Sequence, residues 1–271
     1  MITRVREIRW DVHQNGEVVP TAIFDPVTLN EETELETDRA CLFDLGTLKM
    51  FDIKVGDDVN VVSRGGIPWI DSNVERKAGY VQYPDVCPVC GTVLSDTVSK
   101  DGFREVLVCE NEFCMARVLP KIKRFLSKEA IFIEGLSNDE EKLKSLIENG
   151  YIKKVTDVFE LGNKAEGLIT DCGCSEKWCK ELAEKIEKLK GRVSIRRIVI
   201  GLGLNISLDS LNKLEAYCLE HQKNFTDLSP SEVEGHVSSL EFKEAVKWFK
   251  DEWNKKEFLE VYEICGRKGI K

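Results

Sequence analysis

Histidine is scarce in this chain. Three occur among 271 residues, His13, His221 and His236, and none stands near a serine or cysteine of evident role. No acid–base or nucleophile constellation can be assembled from them. Long apolar runs are absent too: no stretch of about 18 apolar residues exists, which excludes a membrane-spanning helix on the sequence. The N-terminal MITRVREIRWDV lacks the apolar core that a secretory signal needs. Positive charge is not in excess. Lys and Arg number 39 against 48 Asp and Glu, a formal net charge of −9, which speaks against a general nucleic-acid binder. Gly201-Leu202-Gly203 lacks the third glycine of a dinucleotide-binding fingerprint.

What is present is cysteine. Ten in a chain without a signal peptide imply a reducing compartment, the cytoplasm, where clustered thiols point to metal rather than to disulfides. The cluster lies in VCPVCGTVLSDTVSKDGFREVLVCENEFCMAR. Cys87-x2-Cys90 and Cys109-x4-Cys114 offer two pairs of thiolates, and the segment between them can fold back to close a tetrahedron. Four soft ligands with no open position suit one structural Zn2+ rather than a catalytic one. A disulfide or redox CxxC is the competing reading, and it leaves the second pair without a role. Cys41, Cys218 and Cys265 are isolated and read as core thiols. Cys172, Cys174 and Cys179 lie together without a fourth ligand and read as structural.

The hydrophobic period changes across the cysteine clip. Before it, RVREIRWDV alternates, Asn15-Gly16 makes a turn, Pro20 and Pro26 punctuate the segments after that turn, and EETELETD (31–38) reads as an exposed acidic loop. VGDDVNVVSRGG adds a strand of Val59, Val61 and Val62, ending in a Gly-Gly turn. Short strands with turn signals and no helical periodicity suggest a small β-barrel or sandwich. After the clip, EEKLKSLIENG, EKWCKELAEKIEKLK and LNKLEAYCLEH each carry one apolar stripe, and FKEAVKWFKDEWNKKEFLEVYEI reads as one long helix or a pair. The fold class is multidomain α+β: a β module, a metal clip and an all-α module.

Glycine turns recur in the helical part at Gly135, Gly173, Gly203 and Gly235, and each but the last is followed closely by a helix. Ordinary helix–helix turns need glycine for backbone reasons; the alternative is a hairpin whose amides face a phosphate. Two basic stripes leave a similar choice between a solvated helix face and a phosphate contact. One comprises Arg117, Lys121, Lys123, Arg124 and Lys128, the other runs from Lys188 to Arg197.

The order β-barrel, four-cysteine finger and repeated helix-hairpin-helix resembles the C-terminal half of bacterial NAD-dependent DNA ligases. WDVHQNGEVVPTAIFDPVTL and IKVGDDVNVVSRGGIP look like segments of their OB-fold. CPVCG and CENEFCMAR look like their zinc finger, with Asn111 ahead of the last cysteine. FLSKEAIFIEGLSNDEEKLKSLIENGYIKKVTDVFEL and CGCSEKWCKELAEKIEKLKGR look like their hairpins. The resemblance implies an OB-fold over 1–78, a zinc finger over 79–120 and a helix-hairpin-helix domain over 121–271. It implies a grip on nicked double-stranded DNA, independent of sequence, through Arg64, Arg117, Lys121, Lys123, Arg124 and the turns at Gly135, Gly173 and Gly203.

The chain departs from that family in two ways. The Lys-x-Asp-Gly nucleophile of adenylating enzymes is missing; Lys100-Asp101-Gly102 lacks the intervening residue and falls inside the metal clip. Several turns keep one glycine where the family has two, which weakens close backbone approach to phosphate. The expectation is therefore the DNA-binding subunit of a split ligase, inactive alone. A separate adenylation chain would bring the lysine, the NAD pocket and Mg2+. The source would be a bacterial cytoplasm or a phage gene, and the starting Met1 fits a genuine short gene. The alternatives are a non-catalytic DNA-binding accessory protein of ligase ancestry and a fragment of a longer ligase.

Overall fold

The computed structural model describes residues 1–30, 35–78, 81, 83–99 and 102–266. The chain divides into two compact units, Met1–Arg117 and Val118–Lys271.

The first unit is built on antiparallel pairing. β1 (Ile2–Val12) and β2 (Glu17–Asn30) form a hairpin around Asn15-Gly16, with Val12 opposite Val18 and Ile8 opposite Ala22. β3 (Leu35–Cys41) adds to β2, and a short helix α1 (Leu45–Phe51) comes next. β4 (Asp58–Arg64) and β5 (Ile67–Glu75) form a second hairpin across Gly65-Gly66, and β4 lies against β1. β6 (Ser95–Val98) and β7 (Glu105–Val108) form a third hairpin. Among the described residues the order across the sheet is β5-β4-β1-β2-β7-β6, with β3 also on β2. Alternation in β1 buries Thr3 and Val5 and exposes their neighbours. Val5, Phe24, Leu42, Leu48, Ile53, Val59, Val61 and Ile70 make the core.

Three local expectations change here. Residues 35–38 of the acidic stretch belong to β3, where Thr37 faces Val27 and Glu36 faces Thr28; residues 31–34 lie outside the described ones. Ladder pairing holds an exposed acidic edge that composition alone reads as a loop. Pro20 and Pro26 sit inside β2 rather than between elements. Pro26 falls where the β2–β3 register shifts, a place where a missing amide costs little. Helix α1 lies within the segment read as all-β. It spans two turns, too short for a period to register, and is held by its ends: Asp44 Oδ1 accepts from Thr47 N at 2.7 Å, and Leu45 and Leu48 are buried.

The second unit is helical. α2 (Met115–Phe125) enters it, then α3 (Glu140–Glu148), a 3-10 segment (Val155–Asn163), α4 (Ala165–Cys172), α5 (Glu176–Leu189) and α6 (Ile195–Gly201). α7 (Leu208–Glu220), α8 (Pro230–Glu234), α9 (Ser239–Lys250) and α10 (Glu252–Cys265) complete it. The apolar stripes are buried as their period requires: Leu143, Leu146 and Ile147 in α3, Leu182 and Ile186 in α5, Leu211 and Leu214 in α7. The last long run is a pair of helices. They part at Asp251, whose carboxylate caps α10 by accepting from Trp253 N and Asn254 N. Gly235 too is followed closely by a helix, α9, but its φ is −67°.

Candidate metal centre and the residues around it

The β6–β7 hairpin does what the cysteine spacing requires: it returns the chain so that Cys109 and Cys114 meet Cys87 and Cys90. Cys87 Sγ lies 3.9 Å from Cys114 Sγ, and Cys90 Sγ lies 3.5 Å from Cys109 Sγ. All four sulfurs fall within 4.8 Å of one another, and no other such ligand group occurs among the described residues. A tetrahedron with metal–sulfur bonds of about 2.3 Å has edges of about 3.8 Å, so the donor set fits one tetrahedral ion. Disulfide bonds are not formed; the ten cysteines are free.

Backbone hydrogen bonds shape each half. Cys87 N donates to Thr92 O at 2.8 Å and Gly91 N donates to Cys87 O at 2.9 Å, closing a knuckle at Gly91. Cys114 N donates to Asn111 O, while Asn111 Oδ1 accepts from Phe113 N. The second half is welded to the sheet. Cys109 N donates to Gly16 O, and Cys109 O accepts from Arg117 Nη1 at 3.0 Å. Gly16 has a φ of 91°, and a Cβ there would stand 2.6 Å from Cys109 O. The turn read only as a hairpin signal is thus also the floor of the metal centre.

Burial and crowding act on the thiols. Burial opposes the Cys90 thiolate, yet hydrogen bonds from Thr92, Cys109 and Asn111 bring its pKa down to about 6. Burial pushes Cys109 up to about 11 and Cys114 higher still. A lowered Cys90 thiol beside Cys109 and Cys114, whose thiolates burial resists, is an arrangement that a divalent cation completes, because it neutralises charge that burial disfavours.

The basic side chains occupy varied settings. Arg64 pairs with Asp71 at 2.8 Å and lies 5.0 Å over the Trp69 ring. Arg117 braces Cys109. Lys121 lies 3.7 Å from the buried Glu257, whose carboxyl is raised by that burial, and Lys123 pairs with Glu140. Arg124 meets Gly203: a Cβ at Gly203 would come within 2.5 Å of its terminal nitrogen. The structure therefore brings Arg124 to the Gly203 turn. Gly135, Gly173 and Gly203 all adopt positive φ. The Gly135 carbonyl accepts from Trp178 Nε1, and Lys185 Nζ donates to Glu134 O. Gly173 N donates to Leu168 O and Gly203 N donates to Ile200 O, while the space beyond Gly173 is open. Cys174 and Cys179 are buried, with thiols raised by burial; Cys172 is partly exposed.

Against known proteins, a Lachnoclostridium phytofermentans protein named DNA ligase is 32% identical over 235 residues, 86% of this chain and 34% of its own length. The chain is homologous to DNA ligases. A Thermodesulfovibrio yellowstonii DNA ligase is 34% identical over 84% of the chain and 32% of itself. A Thermosipho africanus DNA ligase is 29% identical over 98% of the chain and 39% of itself. No protein-family model matches. The chain spans about a third of the length of these DNA ligase relatives. No helix among the described residues is long and apolar enough to cross a membrane.

Proposed function

We propose that this chain is the DNA-gripping part of an NAD-dependent DNA ligase, closing around a nicked duplex while an adenylation module outside its 271 residues supplies the nucleotidyl transfer. The observation that carries the reading is the alignment. Proteins named DNA ligase match most of this chain but only a third of themselves, so the shared part is one section of a larger machine. In this reading residues 1–78 are an OB-fold, 79–120 a zinc finger and 121–271 a helix-hairpin-helix domain. Cys87, Cys90, Cys109 and Cys114 hold one structural Zn2+, which fixes the β6–β7 hairpin and through it Arg117. Arg64, Lys121, Lys123 and Arg124 neutralise phosphates, and the turns at Gly135, Gly173 and Gly203 let the strand approach. The carboxylates now beside Arg64 and Lys123 are exposed pairs worth little, so exchange for phosphate costs little. NAD and Mg2+ serve only the adenylation site. Four reduced thiols require a reducing compartment, as in a bacterial cytoplasm.

In the two-chain form of this reading, adenylation resides on a separate polypeptide. The test mixes that polypeptide, this chain, NAD, Mg2+ and nicked DNA. Sealing should be strong with both chains and negligible with either alone. Sealing no better with this chain than without it refutes the reading. A second reading, an accessory DNA-binding protein of ligase ancestry, is favoured by the amides of Gly173 and Gly203, which are spent on their own backbone. It predicts DNA binding that no adenylation chain strengthens.

A further inference from the structure

The aromatic side chains at the end of the helical unit fall into two groups. Phe225, Trp248, Phe249 and Phe258 are buried against one another, and Trp248 Nε1 donates to Leu202 O. Trp253 is different: it is 52% exposed. The Asp251 cap fixes its backbone at the start of α10, where Trp253 N donates to Asp251 Oδ1 at 2.9 Å. Two ammonium groups attend the ring. Lys121 Nζ lies 5.8 Å from its centroid and Lys256 Nζ lies 6.0 Å from it. Lys121 is steered there by the buried Glu257. Among the described residues Lys256 has no carboxylate partner, and Lys247 and Lys250 occupy the last turn of α9 just before Asp251. The exposed Glu252 is already met by Lys255 at 2.9 Å.

We propose that Trp253, flanked by Lys121 and Lys256, is a stacking site for an unpaired nucleotide of single-stranded DNA. An apolar protein surface docking on this ring would have to strip water from two ammoniums without compensation. A nucleotide uses both features. Its base covers the indole face and its phosphates draw the lysines aside, a combination that is tolerant of sequence. Duplex bases are stacked inside the helix and offer no free face, so the site takes a flap, a gap or a loose end. The inference rests on the nucleic-acid reading above but adds a site which that reading does not use, sharing only Lys121 with it.

The test is fluorescence anisotropy of a labelled oligothymidine with the metal-loaded full chain, run beside a nicked duplex. Trp253→Ala should weaken oligothymidine binding about fivefold or more, since stacking on an aromatic side chain carries about that much. Trp253→Phe keeps a ring and should retain most of the affinity. Lys256→Gln should flatten the salt dependence by about 0.7 in slope. Circular dichroism checks that each variant keeps its helices. The proposal is overturned if wild type does not bind oligothymidine, if Trp253→Ala binds it as wild type does, or if Trp253→Phe is as weak as the alanine variant. Failure of nick sealing with oligothymidine binding intact removes the ligase reading and leaves this site standing.

Discussion

Two glycines show how differently one substitution acts when the neighbour is backbone and when it is a side-chain tip. At Gly16 an added Cβ meets the Cys109 carbonyl at 2.6 Å, and that carbonyl is pinned by Arg117. A backbone carbonyl cannot swing away as a side-chain tip can. At Gly203 the Cβ meets the end of Arg124, which can. Both residues hold positive φ, so both substitutions carry the left-handed penalty of about 1–2 kcal/mol. Gly203→Ala should cost little beyond that. Gly16→Ala should cost at least about 2 kcal/mol and also loosen the metal, because the clash moves the Cys109 backbone. Urea midpoints together with zinc content separate the two. Equal midpoint shifts and unchanged zinc would show that the hairpin turn does not support the cysteines.

At the scale of elements, one carboxylate joins two helix starts. Glu241 sits at the third position of α9. It caps Ser238 there and also accepts from Ser207 N and Ser210 Oγ at the start of α7. Hydrogen bonds from the Ser207 amide first, then from the Ser238 and Ser210 hydroxyls, hold its pKa at about 2 against an ordinary 4.5. A depressed carboxylate stabilises the fold above the unfolded value and loses that contribution as pH falls through the folded one. Glu241→Gln should therefore cost about 1 kcal/mol at neutral pH, the size of a good helix cap. Its gap from wild type should close between pH 4.5 and about 2, read from thermal melts across that window. A gap independent of pH would assign the effect to shape rather than charge. Long amphipathic helices of this kind were legible because period and burial coincide, as in α3, α5 and α7. The cysteine centre was legible because spacing limits which sulfurs can meet. Helix α1, the prolines inside β2 and the second role of Gly16 were not, since each depends on partners distant in sequence. The Trp253 site was hidden for a related reason: a tryptophan in an amphipathic run reads as core until its exposure is seen.

For the molecule as a whole, the decisive contrast is where apolar packing is rich and where it is poor. The β1–β5 part has a closed core around Leu48, Ile53 and Val59, and the helical unit buries Phe125, Leu136, Leu143, Phe225 and Phe258 completely. Among the described residues of 85–114 packing is thin apart from Val106 and Leu107 in β7. The cluster there consists of Cys87, Cys109 and Cys114 with a few half-buried neighbours, while Val86, Val89, Val93, Val98, Phe103 and Phe113 face outward. A segment with so little buried surface would depend on an ion held by its four sulfurs, which in small zinc modules supplies roughly 10 kcal/mol or more of folding free energy. Chelation should therefore melt this segment first and leave the two cores folded. Hydrogen exchange after metal removal should show protection lost from about residue 85 to 114 and retained in β1, β4, α3, α5 and α7. Readdition of Zn2+ should restore it. If protection falls evenly over both units, or nowhere, the four sulfurs are not what holds this segment together, and the brace they are proposed to give Arg117 is lost with them.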